Sequence, residues 1–387
     1  MRILCVYATR QVDSNLFMSS IIFNGISQVG CDVDMAFLGY SSVCDVFRKR
    51  YSRYFKNVYY HIINESKAKS ILDKRERTRL LYSFYRSFLA DCLKRPYDID
   101  SFKDDINQDY DVVLSFIPPA LSGYLAIDIR QSLCKSARLI QFWTDPLSLG
   151  RCNSISEIPK TRFLHKYIEK QLLKRADKVV FCYPLLCEME QKLYPNFANK
   201  MTWSDVGYTD HLTNSINRRH KEDRRIRVGL FGSYYKRVRN IDPLLEAIPL
   251  FPDISFIIRG DSDVIIDPQN YPNLDIIKGR RPIEEIEELE QECDILLCLG
   301  GLSGITHPAG KVFYYANYPK PIVYIGDGVH NDYFKEYLRE FGRYIICDNT
   351  RDSICTGIKK AIDILPSFSL EIPKRLEPRV IANSILQ

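Results

Sequence analysis

Short apolar runs alternate along this chain with longer stretches whose apolar positions recur at helical spacing. Continuous apolar runs fit strands buried on both faces, and the 3.6-residue recurrence fits helices that cover them. The pattern predicts strands at 3–8, 32–38, 111–117, 137–143 and 178–182. Helices are expected at 15–29, near 120–135, at 162–175 and from Pro184 onward. Residues 41–105 are polar, basic and aromatic, with helical stretches near 66–93. The alternation restarts later, with strands at 226–231, 254–258, 274–277, 294–298 and from Ile322, and helices at 240–248, 282–291 and 373–386. Strand–helix alternation of this kind implies a parallel sheet, and here it occurs twice.

Between the two runs, residues 204–225 are polar and lose their period, and the charged stretch 217–225 reads as the linker. A chain of 387 residues exceeds one ordinary core. The expected fold class is α/β, two doubly wound Rossmann-like domains facing a central cleft. The expected domains are 1–220 and 221–372, with a C-terminal helix over 373–387 packing back towards the first. Ligands of such folds bind outside the carboxyl ends of the strands.

Composition narrows the class. Hydrophobic content of 45% with 26% charged residues is globular, and no run reaches the length of a membrane-spanning helix. The N-terminus enters a strand at once, so no signal peptide is expected. The 12 cysteines form no C-x-x-C pair. Cys182, Cys187, Cys293 and Cys298 lie in or beside apolar strands, which fits buried thiols in a reduced, cytoplasmic protein rather than a zinc site. Residues 1–219 hold 32 Lys+Arg against 23 Asp+Glu, a net +9, and residues 220–387 hold 22 against 25, a net −3. In 47–60 bases alternate with aromatics. That pattern fits either a solvated helical face or a peripheral contact with an anionic membrane surface. No nucleic-acid-reading motif is present.

Two segments carry candidate chemistry. In 305–325 a loop with Thr306 and His307 leads to Gly310, a short helix from Lys311, a Pro-Lys-Pro turn and a strand. A lysine in a first helical turn is unfavourable unless an anion sits there. In 230–240, Gly232 and Ser233 follow a strand, and Lys236, Arg237 and Arg239 crowd positive charge before the next helix. Gly232 permits close approach of a ligand to the backbone. Arg259-Gly260-Asp261 ends the next strand, and Lys278-Gly279-Arg280-Arg281 the one after. In the first half, Trp143-Thr144-Asp145 ends a strand, and Asp13 lies in the loop after the first. Glu169 and Glu188 read as helix-surface residues, and His165 and His307 as structural more often than catalytic.

In the order of these elements, residues 226–365 resemble the nucleotide-binding domain of GT-B glycosyltransferases, especially the retaining family 4 group. The first half matches in order of elements only. The resemblance implies a sugar moved from a nucleoside diphosphate sugar to a hydroxyl acceptor, in glycan or cell-surface polysaccharide assembly. It implies that Arg239 and Lys311 neutralise the departing diphosphate. Gly232, Ser233, Lys236, Arg237, Arg259, Gly260, Arg280, Thr306, His307, Gly310 and Tyr314 would meet the donor. Asp145 would orient the acceptor hydroxyl or take its proton, and Asp13 and Trp143 would contact the acceptor. No D-x-D element sits in a suitable loop, so no divalent metal and no further cofactor is expected. The family's E-x7-E pair is absent, since Thr306 and Tyr314 occupy those positions. A nucleotide-sugar epimerase and a non-catalytic sugar- or nucleotide-binding partner are the rival readings.

Overall fold

The computed structural model describes residues 1–10, 12, 14–63, 95–106, 109–148, 159–207, 225–236, 239–279, 281–301, 310–315, 318–326, 332–369 and 373–387. The helical stretches expected near 66–93 and most of the expected linker lie outside those residues. The chain divides into two compact units, Met1–Gly207 with Lys374–Gln387, and Tyr208–Pro373.

In the first unit, seven parallel strands run β1 (Arg2–Thr9), β2 (Asp32–Gly39), β3 (Asn57–Ile62), β4 (Val112–Ile117), β5 (Arg138–Trp143), β6 (Lys178–Phe181) and β7 (Met201–Trp203). Their spatial order is β3-β2-β1-β4-β5-β6-β7. The sheet therefore winds outward in both directions from β1 and β4. The central strands are mostly apolar; β4 reads VVLSFI and is buried at every position. Helices α1 (Ser14–Ser27), α2 (Ser41–Arg50), α3 (Ala120–Ser132), α4 (Pro159–Arg175) and α5 (Pro184–Leu193) accompany the strands.

The basic-aromatic stretch buries part of its aromatic content. Phe47 of α2 is wholly buried and packs on Phe37 with ring centroids 4.1 Å apart. Burying a side chain of this size stabilises by about 1.5–3 kcal/mol. Tyr51 is buried too. Arg48 stays outside, 2.8 Å from Asp45 and over the Tyr60 ring at 4.5 Å. Phe47 and Tyr51 turn inward, Tyr54, Phe55, Tyr59 and Tyr60 are half-buried, and Arg48, Lys49, Arg53 and Lys56 face outward. The pattern did not announce β3, whose positions are mostly half-buried at the sheet edge.

The second unit repeats the plan with six parallel strands: β8 (Arg227–Phe231), β9 (Ser255–Gly260), β10 (Leu274–Lys278), β11 (Ile295–Leu299), β12 (Ile322–Gly326) and β13 (Tyr344–Asp348). The order is β10-β9-β8-β11-β12-β13. Its helices are α6 (Asp242–Ala247), α7 (Ile283–Glu292), α8 (Lys311–Tyr315), α9 (Asp332–Arg339) and α10 (Arg351–Ile364). α10 starts at Thr350, whose side chain accepts the Ser353 amide. A core including Val228, Ile258, Leu297, Val323 and Ile358 fills the space between sheet and helices. β13, α9 and α10 were not read from the pattern.

The last segment returns to the first unit. Helix α11 (Pro378–Leu386) packs on α1, and a Cβ at Gly25 would overlap the Pro378 carbonyl. Arg138 donates to the Gln387 carbonyl at 3.0 Å, and Lys178 to those of Ser384 (3.0 Å) and Ile385 (3.1 Å). Cations at a helix C-terminus satisfy its orphan carbonyls.

At the carboxyl end of β9, a Cβ on Gly260 would overlap the Gly232 carbonyl. Gly260→Ala is therefore expected to destabilise the protein by about 1–3 kcal/mol, the scale of overpacking against backbone. Urea denaturation measures this, and a variant as stable as the parent would refute the close contact.

Candidate functional site

In a doubly wound sheet the crevice lies where the winding reverses, here between β8 and β11. Gly232 leaves β8 with φ +132° and open space around its Cα, a conformation that favours glycine. Its amide donates to the Arg259 carbonyl at 2.9 Å, and the Tyr234 amide donates to that of Asp261 at 3.0 Å. The Tyr235 hydroxyl reaches Asp261 at 3.0 Å, and the Lys236 amide reaches Asp263 at 3.0 Å. The turn after β9 thus fixes the loop after β8. Lys236 itself is exposed, with its ammonium 3.8 Å from Asp242.

Arg239 folds back over this loop. One terminal nitrogen lies 3.5 Å from the Ser233 carbonyl, and its buried Nε has no hydrogen-bond partner. Burial pushes the Cys298 thiol, on β11, up to about 12, while the positive charges of Arg239 and Lys311 both pull it down. Two cations from separate segments thus lie near enough to β11 for their charges to act on Cys298, two residues before Gly300-Gly301. A Cβ at Gly300 would overlap the Tyr324 hydroxyl, so a side chain there would require that ring to shift.

Lys311 is not free. It pairs with Glu290, which is wholly buried on α7 and also accepts from the Tyr315 hydroxyl (3.0 Å) and the Tyr318 hydroxyl (2.8 Å). Lys311 also lies 5.1 Å from the Tyr314 ring centroid and 5.2 Å from that of Tyr315. A buried carboxylate needs such partners to offset lost hydration. The tension of a lysine in the first turn is thus met from beneath by Glu290. Tyr314, expected at the donor ribose, is buried instead, its hydroxyl 2.9 Å from that of Tyr318. Inward aromatics on one short turn draw it into the core. Lys320 of the Pro-Lys-Pro turn donates to the carbonyls of Glu290, Gln291 and Cys293 and so caps α7.

Arg259 is likewise turned from the crevice. It is buried, 2.6 Å from the Asp275 carboxylate and 2.9 Å from the Asp275 carbonyl on β10. Gly310 is half-buried and accepts the Tyr314 amide at 3.3 Å. Arg237, Arg280, Thr306 and His307 lie outside the described residues.

In the first unit, Trp143 cannot meet an acceptor, because it is wholly buried with its indole N–H on Gln141 at 3.2 Å. Asp145 is half-buried at the end of β5, close enough to help burial raise the Cys182 thiol. Asp13 lies outside the described residues. Glu169 is not a surface residue. It is wholly buried, accepting from the Ser148 hydroxyl, the Leu147 amide (2.9 Å) and the Tyr194 hydroxyl (2.7 Å). It therefore anchors the loop that carries Asp145. Beside it, Glu190 of α5 is buried with neither carboxyl oxygen hydrogen-bonded. His165 has a buried Nδ1 without a partner, and burial lowers its pKa. The sequence signal for both buried glutamates was phase. Glu169 shares the inward stripe with Leu172 and Leu173, and Glu290 stands seven residues after Ile283, in step with Ile286. Among the described residues no group of three or more His, Cys, Asp or Glu could hold a metal.

No protein-family model matches the chain, and a search of curated proteins finds no relative. Solved structures do match over nearly the whole chain. The catalytic domain of starch synthase IV from Arabidopsis thaliana, bound to ADP and acarbose, has a TM-score of 0.57 and 10% identity, covering 100% of this chain and 97% of that one. A UDP-N-acetylglucosamine 2-epimerase has a TM-score of 0.53 and 10% identity, covering 98% and 94%. A glycosyltransferase from Rickettsia africae has a TM-score of 0.52 and 13% identity, covering 99% and 92%. At such identities the likeness is one of fold: two doubly wound α/β units of the GT-B type.

The Glu169–Glu190 pair has a pH signature. Burial, then the charge of Glu169, pushes the Glu190 carboxyl up to about 9. The folded protein then keeps a proton that the unfolded chain sheds above its ordinary carboxyl pKa. That contribution to stability is whole below the ordinary pKa and is lost as pH rises through about 9. Glu190→Gln cannot ionise, so its advantage over the parent should grow from pH 5 to 9 by up to about 1.4 kcal/mol per pH unit. Calorimetry across that range measures it, and a Tm difference independent of pH would contradict the buried neutral carboxyl.

Proposed function

We propose that this chain is a glycosyltransferase that moves a sugar from a nucleoside diphosphate sugar to a hydroxyl acceptor. One observation carries the reading. Arg239, its buried Nε unpartnered and a terminal nitrogen at the Ser233 carbonyl, stands on the loop after β8, where the winding of a GT-B donor-type unit reverses. As a glycosidic bond breaks, charge grows on the leaving diphosphate, and fixed cations there lower the barrier. Ser233 and the Gly232 backbone would line the same crevice. Asp145 would orient the acceptor hydroxyl. The family 4 resemblance adds a hexose-like donor group and retention of configuration. A glycan or lipid-linked acceptor belongs to the same reading. Neutralisation falls to side chains and backbone amides rather than to a divalent metal.

A second reading is favoured by one feature. The donor segment presents no carboxylate at Thr306 or Tyr314, and Tyr314 is buried in its own unit. A non-catalytic nucleotide- or sugar-binding partner would tolerate that loss. The epimerase reading asks for carboxylates and histidines near the crevice, and those described are mostly spent on packing.

A thermal-shift screen with UDP, GDP, ADP and their sugars, followed by product assay, separates these. Stabilisation by a nucleotide together with donor consumption supports the transferase. Stabilisation without turnover supports the binding partner, and no stabilisation by any nucleotide removes both. With the active donor in hand, Arg239→Ala should lower kcat more than it raises donor KM. The total loss is expected at about 2.7–4 kcal/mol, the cost of removing a transition-state charge contact. A change confined to KM would limit Arg239 to ground-state binding.

A further inference from the structure

Away from the crevice, the first unit brings a serine, a histidine and a carboxylate together at the edge of its sheet. His61 stands near the carboxyl end of the edge strand β3. Ser101 lies in a 3-10 turn, Ile99–Phe102, and Asp105 follows that turn. The His61 Nε2 is 2.9 Å from an Asp105 carboxylate oxygen, and its Nδ1 is 3.2 Å from the Ser101 hydroxyl oxygen. A nucleophile within reach of a base, and a base oriented by a third group, is the arrangement of covalent acyl-transfer sites.

Each member is held in a state that suits this role. The His61 ring stacks on Phe102, with centroids 3.6 Å apart and planes at 28°, and Phe102 is wholly buried. The imidazole therefore has a fixed orientation. Burial lowers its pKa against the opposing pull of Asp105, so the ring is neutral at neutral pH, as a base must be. Asp105 accepts from Nε2–H, which leaves the Nδ1 lone pair for Ser101. Ser101 is exposed, and its hydroxyl proton has two acceptors in reach, His61 Nδ1 and the Asp98 carbonyl at 2.7 Å. Rotation about one bond transfers it from carbonyl to base. The turn does not depend on the histidine for its shape, because the Asp98 side chain already caps it through the Asp100 amide at 3.0 Å.

We propose that Ser101, His61 and Asp105 form a second reactive site, which cleaves carboxylic esters by acyl transfer to Ser101. The Ser101 Oγ bonds to the acyl carbon as the bond from that carbon to the alcohol oxygen breaks. The hydroxyl proton passes to His61 Nδ1 and from there to the departing alcohol. Water then attacks the acyl-serine, gives a proton to the same nitrogen and releases the acid, while that proton returns to Ser101. Asp105 is a positioning residue that holds the tautomer. Asp98, Asp100 and Asp104 crowd the same turn, and its lysine, Lys103, is paired with Asp100 at 2.6 Å. Such a field repels a negatively charged acyl group, so the substrate class is an uncharged or cationic ester. The site needs no sugar donor, and its failure would leave the transferase reading untouched.

Labelling of the whole chain with diisopropyl fluorophosphate, followed by peptide mass spectrometry, tests the nucleophile. The label is expected on Ser101, with loss of fluoride. Hydrolysis of p-nitrophenyl acetate tests turnover and should exceed that of p-nitrophenyl hemisuccinate, whose acyl group is anionic. Ser101→Ala removes one exposed hydroxyl and keeps the fold. It should lower the acetate rate by at least about a hundredfold, the low end of what a positioned base contributes. Asp105→Asn should lower kcat by at least about tenfold with KM unchanged, which a loss of packing alone would not do. No label on the parent, a label on a different serine, an undiminished rate in Ser101→Ala or His61→Gln, or faster reaction of the hemisuccinate would each overturn the proposal.

Discussion

Parallel strands cannot be joined by tight turns, and each needs a crossover long enough to return the chain to the same end of the sheet. Both faces of the sheet must then be covered. Every strand pairing among the described residues is parallel, so this constraint shapes each unit from the first residue of β1. It forces the apolar, unalternating strands, the helices between them and the collection of loops at the carboxyl ends. It also produces a point in each sheet where the winding reverses, between β1 and β4 and between β8 and β11. Loops leaving neighbouring strands in opposite directions open a crevice there. Gly232, Arg239 and the end of β11 owe their proximity to that topology rather than to any local motif.

Buried carboxylates set the finer order. Glu290 sits under the donor segment and draws Lys311, Tyr315 and Tyr318 onto itself, while Lys320 fastens the end of the helix that carries it. A charge removed from water is costly unless its hydrogen bonds are met, so these side chains have little freedom to turn elsewhere. Glu169 does the same for the loop after β5. In both places an acid beneath the surface fixes residues at a strand's carboxyl end. Glu190, buried with no hydrogen-bond partner, is the contrasting case: burial and then the charge of Glu169 raise its pKa.

The same economy explains why some basic residues are unavailable to a ligand and others are not. Arg259 is spent on Asp275 of the neighbouring strand, and Lys320 on helix carbonyls. Among the described residues Arg239 has one long contact to a carbonyl and a buried Nε without a partner. A guanidinium in that state is the natural counterpart of an arriving anion. Lys311 lies between these extremes, paired from below yet close enough to Cys298 to act on it.

Much was legible in the chain alone. The alternation of apolar runs with helical spacing marked ten of the strands and the doubled α/β plan, because period and burial are local properties of sequence. The glycines at 232, 260 and 300 stood where turns end strands, and the bases at 239 and 311 stood beside them. Only the tertiary structure decided which side chains face the crevice. β3 and β7 escaped notice because edge strands lack continuous apolar runs, and β13 because its burial is broken. Tyr314, Trp143 and Arg259 turned inward for reasons of packing and pairing with residues far along the chain. Glu169 looked like a surface acid because composition does not reveal what stands opposite a helix face. Side-chain direction depends on what stands opposite, and that is settled only when the whole chain has folded.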